Sequence, residues 1–251
     1  MKSKNWEKEF ERNDNVETYQ EINNYWWVDC YKDIDATIKK NIPIKKNMKI
    51  LECGSGTGNS SLLLAKDVNS IVLLDQSKSA INSSKKLAKY YDVKNVDFLI
   101  GDIFKMPFKD KIFDFCWNIG VLEHYDIEEA KKMILEMRRV TKENGYMCIG
   151  VPNFRSLAII KARFLSNSLL RPITNSINGY RLDDEKKYTI RKFKEIFSDL
   201  KDDNIFFKNI SFHYAGSFLP VETSHDIYKK LIKFKAFLNE FSFLILVIIK
   251  R

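Results

Sequence analysis

The chain has 251 residues, 45% of them hydrophobic and 30% charged, and a formal net charge of +9. That length suits one α/β domain with elaborations better than two full domains, and the composition is that of an ordinary globular protein. The longest apolar run, residues 243–249, is far too short to span a bilayer, and MKSKNWEKEFERND lacks the apolar stretch of a signal peptide, so a cytoplasmic location is expected.

The four cysteines, Cys30, Cys53, Cys116 and Cys148, form no C-x-x-C pair and read as buried free thiols. The three histidines show no metal-ligand spacing, so no protein-built metal site is expected. Lysines are dispersed and interleaved with acids, which describes solvated helix faces better than a nucleic-acid footprint.

Residues 1–47 read as polar helices carrying an aromatic cluster at Tyr25, Trp26, Trp27 and Tyr31. A first strand is predicted at 48–53, a helix at 58–67, a second strand at 70–74 ending on Asp75, and a helix at 77–91. A third strand follows at 96–100 and a fourth at 112–117. Asp126 and Glu129 make a capping box for a helix whose apolar residues Ala130, Ile134, Met137 and Val140 recur at helical spacing. Asn144-Gly145 is a turn before a fifth strand at 146–151. Beyond it the rhythm breaks: a basic amphipathic helix at 155–170, a loop-like stretch at 171–187, a helix at 189–200, a strand at 205–214, a helix at 226–239 and a last strand at 241–251.

Strands alternating with helices predict a parallel, doubly wound sheet. Ligands in such sheets sit at the carboxyl ends of the strands. The segment Leu51-Glu52-Cys53-Gly54-Ser55-Gly56-Thr57-Gly58 falls at one of those ends, with Asp75, Asp102 and Asn118 at three others. Alternate glycines let a backbone turn sharply and let a ligand lie against it. A dinucleotide fingerprint would need its third glycine at Asn59 or Ser61, and a P-loop would need a lysine that is absent.

The glycine segment resembles the first motif, (E/D)-x-G-x-G-x-G, of class I S-adenosylmethionine (SAM) dependent methyltransferases. The resemblance extends over residues 48–151, and the chain is most similar to the small-molecule enzymes of the "methyltransferase domain 11" type. It is carried by Asp75, by Ile100-Gly101-Asp102-Ile103 with Met106-Pro107-Phe108, by Phe113-Asp114 leading to Asn118 and Glu123-His124, and by residues 136–153. It implies a Rossmann-like seven-stranded sheet with the last strand antiparallel, as one domain: a helical lid at 1–47, a SAM-binding core at 48–151, an acceptor-covering insertion at 152–190 and the rest of the sheet at 191–251.

The resemblance also implies roles. Asp75 would accept from both ribose hydroxyls and Asp102 from the adenine amino group, with Gln76 and Ile103 flanking the ring. The backbone of Gly54, Ser55, Gly56 and Gly58 would meet the methionine part. Glu52, and Asn118 through its carbonyl or side chain, would serve the amino end. S-adenosylhomocysteine would be the product. Glu123 and His124 are the candidates for base or acceptor-orienting group. Tyr19, Tyr25, Trp26 and Trp27 could offer ring faces to the sulfonium. Arg155, Lys161, Arg163, Arg171 and Arg181 are candidates for an acidic acceptor, although a solvated face is the simpler reading. The helix around 159–170 is a candidate for peripheral membrane contact.

The expected activity is methyl transfer to an O, N or C nucleophile of a small molecule. Base methylases carry [DNS]-P-P-[FYW] after strand four, where this chain reads Asn118-Ile119-Gly120-Val121. An RNA or protein acceptor is the enzymatic alternative. A SAM-binding module without catalysis is the non-enzymatic one. Oligomeric state and acceptor identity do not follow from these residues.

Overall fold

The computed structural model describes residues 6–13, 24–167, 182 and 185–251. Tyr19, Arg171 and Arg181 lie outside the described residues. In chain order the elements are α1 (Trp6–Asn13), α2 (Tyr25–Asn41), β1 (Lys49–Cys53), α3 (Asn59–Leu64), β2 (Ser70–Asp75), α4 (Lys78–Tyr90), β3 (Val96–Ile100) and β4 (Phe113–Ile119). Then come α5 (Ile127–Val140), β5 (Thr141–Pro152), α6 (Leu157–Ser166), α7 (Ile190–Asp202), β6 (Asn209–Ala215), α8 (His225–Leu231) and β7 (Leu244–Lys250).

The strands form one sheet in the order β3-β2-β1-β4-β5-β7-β6. β1 to β5 pair in parallel, and β7 runs antiparallel to both β5 and β6. The order reverses between β1 and β4, which opens a crevice beyond their carboxyl ends.

The sequence of β7 explains its interior place. LILVIIK is apolar up to its last residue, and six of its seven residues are buried. Leu244, Leu246 and Ile248 enter the core on one face of the sheet, and Ile245, Val247 and Ile249 the core on the other. A strand buried on both faces needs such a continuous apolar run. The first core is closed by Trp26, Ile34 and Ile38 of α2, Leu62 of α3 and Ile159 of α6. The second is closed by Met133 and Met137 of α5 and by Phe193 and Ile196 of α7.

α5 begins as the capping box predicts. Glu129 N–H donates to Asp126 Oδ1 at 2.9 Å, and Asp126 N–H donates to Glu129 Oε2 at 3.0 Å. Such a cap stabilises a helix by about 1 kcal/mol.

Several boundaries differ from expectation for local reasons. β5 begins at Thr141 and carries the Asn144-Gly145 turn within it, where the register to β4 shifts between Phe113 and Phe115 and Asn144 takes φ 61°. β6 begins at Asn209, because Ile205 N–H still closes α7 by donating to the Leu200 carbonyl at 2.9 Å. α6 begins at Leu157 because Ser156 caps it, accepting from Ile159 N–H at 3.2 Å. The expected helix over 226–239 is α8 followed by tighter turns at Ile232–Phe234 and Asn239–Phe241. Among the described residues no helix is long and apolar enough to cross a membrane.

Candidate active site

The loop from β1 to α3 turns on three left-handed glycines, with φ of 70° at Gly54, 53° at Gly56 and 70° at Gly58. A side chain there is strained by its backbone, and the space is filled as well. A Cβ on Gly58 would lie 2.4 Å from Leu73 Cδ1, and one on Gly54 would lie 2.8 Å from Val121 Cγ2. Gly58 therefore serves packing against β2 and lies behind the cleft. The loop's N–H groups are committed inward. Those of Gly54 and Ser55 donate to the Leu74 carbonyl, that of Gly58 to the Ser55 carbonyl and that of Gly56 to Asp75 Oδ2 at 2.8 Å. What these four positions offer a ligand is close backbone approach.

Asp75, at the end of β2, is 7% exposed. Its second oxygen accepts from Ser77 N–H at 2.9 Å. Burial pushes its carboxyl above the usual range, against the pull of these N–H groups. Each oxygen retains acceptor capacity for a hydroxyl. Gly54, Ser55, Gly56, Asp75, Gln76 and Ile103 all line one cleft, open to solvent, of about 690 Å³.

Two of the expected side chains are engaged elsewhere in the fold. Asp102 is exposed and turned to the Phe104 N–H at 2.9 Å, capping the turn after β3, so Ile103 and not Asp102 faces the cleft. The Asn118 side chain points to the opposite face of the sheet. Fully buried, its amide meets the sulfurs of Met137 at 3.3 Å and Met133 at 3.5 Å. Side chains alternate along a strand, and the parity of β4 sends residue 118 into the α5 core.

A second cavity, about 910 Å³, adjoins the first and shares Ser55, Ile119 and Gly120 with it. Glu52, Glu123, His124, Trp27 and Tyr31 line it. Glu52 is 4% exposed, and burial pushes its carboxyl up to about 8, although hydrogen bonds from Ser61 pull it down. Ser61 is held in turn by Trp117 Nε1, which donates to its Oγ at 2.9 Å. Glu52 Oε2 and Ser55 Oγ are buried with no hydrogen-bond partner among the described residues. A buried, unmatched carboxylate oxygen facing a cavity suits a cationic ligand group, since an unpaired buried polar atom costs roughly 1–3 kcal/mol.

The aromatic cluster of α2 divides between the core and a cavity wall. Trp26 is fully buried, with Nε1 donating to the Leu219 carbonyl at 2.9 Å. Tyr25 donates its hydroxyl to the Thr223 carbonyl and stacks on His225. Trp27 lines the second cavity. The first cleft is lined on its open side by Trp6 and Phe10 of α1. Phe10 Cζ lies 3.3 Å from the point a Gly56 Cβ would occupy, and Trp6 meets His124 edge-on at 4.7 Å. Glu7, between them, accepts from the hydroxyls of Ser77 at 2.8 Å and Ser79 at 2.7 Å, at the start of α4, and these bonds hold its carboxyl below the usual range. Sequence reasoning missed all three residues. Their signal was an i, i+4 aromatic pair on an otherwise polar helix.

Among the candidate cations, Lys161 pairs with Glu222 at 2.6 Å and Arg155 with Glu240 at 3.0 Å, which leaves them structural work.

The fold, the glycine turn and the acid at the end of β2 define a class I SAM-dependent methyltransferase domain. The unmatched Glu52 oxygen and the buried Asp75 fit the ammonium and ribose of that cofactor. The chain belongs to the methyltransferase domain family, whose profile matches residues 44–199. It is 30% identical over 131 residues to a demethylmenaquinone methyltransferase of Staphylococcus aureus, covering 51% of this chain and 52% of that protein. It is 26% identical over 197 residues to a ubiquinone/menaquinone biosynthesis C-methyltransferase of Rickettsia prowazekii, covering 73% and 77%. A SAM-dependent methyltransferase structure from Aquifex aeolicus has the same fold at TM-score 0.57, with 16% identity over 96% of both chains. The matches to three other curated relatives span 48%, 61% and 51% of those proteins.

Proposed function

We propose that this protein transfers the methyl group of SAM to a nucleophilic atom of a small molecule bound in the second cavity. The observation that carries the reading is the junction of the two cavities at Ser55, Ile119 and Gly120, with the unmatched Glu52 oxygen beside it. A cofactor whose adenosine fills the first cavity and whose amino end reaches Glu52 must pass its sulfonium through that junction. The cofactor supplies an electrophilic methyl carbon: the acceptor's lone pair forms the new bond as the carbon–sulfur bond breaks, and the electron pair leaves on sulfur.

The residues then have separable tasks. Asp75 accepts from the ribose hydroxyls. Gln76 and Ile103 border the adenine. Gly54, Ser55 and Gly56 let the cofactor lie close to β1, and α1 closes over it to exclude water. Glu123 and His124 orient the acceptor, and His124 takes a proton when the acceptor must lose one. Alignment of the reacting atoms supplies most of the acceleration, up to roughly 7–11 kcal/mol in favourable systems. The names of the two quinone-methylating relatives support a small-molecule acceptor.

Titration calorimetry with SAM and S-adenosylhomocysteine, with NAD as control, tests the cofactor assignment. Micromolar binding of both, lost in Asp75→Ala, is expected. Folded wild-type protein that binds neither would end the reading.

A further inference from the structure

The segment 225–238, HDIYKKLIKFKAFL, holds to the body of the protein by one side. Tyr228 is buried, Ile232 and Leu238 pack against the first core, and Lys235 pairs with Asp33. Its other side is apolar and exposed: Ile227 by 52%, Leu231 by 38%, Phe234 by 47% and Phe237 by 86%. Their spacing of four, three and three residues keeps them along one face of a helical path. A segment that needed only to cover the core would carry polar residues there.

The exposure is also concentrated. Ten large hydrophobic residues are exposed among the described residues, and seven of them lie in this segment or in α6, as Leu157, Ile160 and Phe164. The Lys161–Glu222 and Arg155–Glu240 pairs hold α6 beside the stretch that contains the segment. A gathered apolar surface marks an interaction site, whereas single exposed residues do not.

Charge indicates what covers it. The segment has four lysines and one acid, Asp226. Lys229, Lys230 and Lys233 are exposed between and beside the apolar residues, and the Lys233 ammonium lies 5.5 Å from the Phe234 ring. A second copy of the chain would set these lysines against their own counterparts. Protruding apolar side chains ringed by lysine suit a bilayer surface, where the rings enter the headgroup boundary and the ammonium groups meet lipid phosphates.

We infer that the 225–238 face docks on membranes carrying anionic lipid. This adds the 225–238 segment to the membrane contact expected from the sequence at 159–170, and it does not depend on the proposed methyl transfer.

Co-sedimentation with vesicles of phosphatidylcholine mixed with phosphatidylserine, against phosphatidylcholine alone, tests it. The full chain is expected to pellet with the mixed vesicles, to bind neutral ones far less, and to be released by salt. Lys229→Glu with Lys230→Glu should weaken binding by at least roughly 25-fold, at about fivefold per basic residue. Phe234→Ser with Phe237→Ser should abolish sedimentation while circular dichroism and thermal unfolding stay as in wild type. Absence of wild-type binding, equal binding to neutral vesicles, or full binding by either folded variant would overturn the inference. So would a wild-type dimer that the phenylalanine variant converts to monomer without any vesicle binding.

Discussion

Glu52 offers a quantitative test of how the site is built. In the folded protein its carboxyl is pushed from 4.5 to about 8, chiefly by burial. The folded state therefore holds a proton between those values that the unfolded chain has released. Stability falls as pH rises whenever the folded state binds more protons. The expected slope through pH 5 to 8 is a loss of roughly 1.4 kcal/mol per unit, up to a ceiling of roughly 5 kcal/mol. Glu52→Gln keeps the shape and cannot ionise, so this component should vanish. Urea unfolding of both proteins across the range measures it directly. The cofactor's ammonium should reverse the preference by favouring the ionised carboxylate, so SAM affinity of the wild type should tighten with pH by up to about tenfold per unit below 8. Binding should release a proton, seen as buffer-dependent calorimetric heat. Parallel stability curves for the two proteins, with SAM affinity independent of pH in both, would refute the assignment of Glu52 as a buried, cation-seeking acid.

Three further outcomes follow from the same geometry. His124→Ala should remove most turnover while leaving S-adenosylhomocysteine affinity within a few-fold, because His124 lines the second cavity, where we propose the acceptor binds; full activity would take it out of the reaction. Gly58→Ala should lower stability by roughly 2–4 kcal/mol in chemical unfolding, since a left-handed backbone and a Cβ 2.4 Å from the fully buried Leu73 both oppose it; an unchanged midpoint would show that Leu73 moves aside freely. Glu7→Ala should free α1 from α4, speeding S-adenosylhomocysteine release in stopped-flow and exposing the N-terminus to protease; unchanged rates would mean that Trp6 and Phe10 hold the helix alone.

The strand rhythm, the glycine turn, Asp75 and the α5 cap could be read directly from the chain because each is local. A period of two or of 3.6, a positive φ, and a side chain reaching three residues away are set within a few residues of one another. The antiparallel place of β7 came from family resemblance, although its unbroken apolar run states that it is buried on both faces. Element ends were less legible where a cap or a helix-closing bond, as at Ser156 and Ile205, outweighed periodicity.

The tertiary structure decided which residues meet. Asn118 and Asp102 stand at the right strand ends, yet strand parity buries the first under α5 and a local turn claims the carboxylate of the second. Trp26 looked like a cation-facing ring and is core. Trp6 and Phe10, in a helix distant along the chain, cover the cleft because Glu7 finds two serine hydroxyls at the start of α4. Sequence fixes what each residue is able to do at short range. Partners brought from far along the chain, and the face a side chain takes in a sheet buried on both sides, are settled only when the whole fold closes.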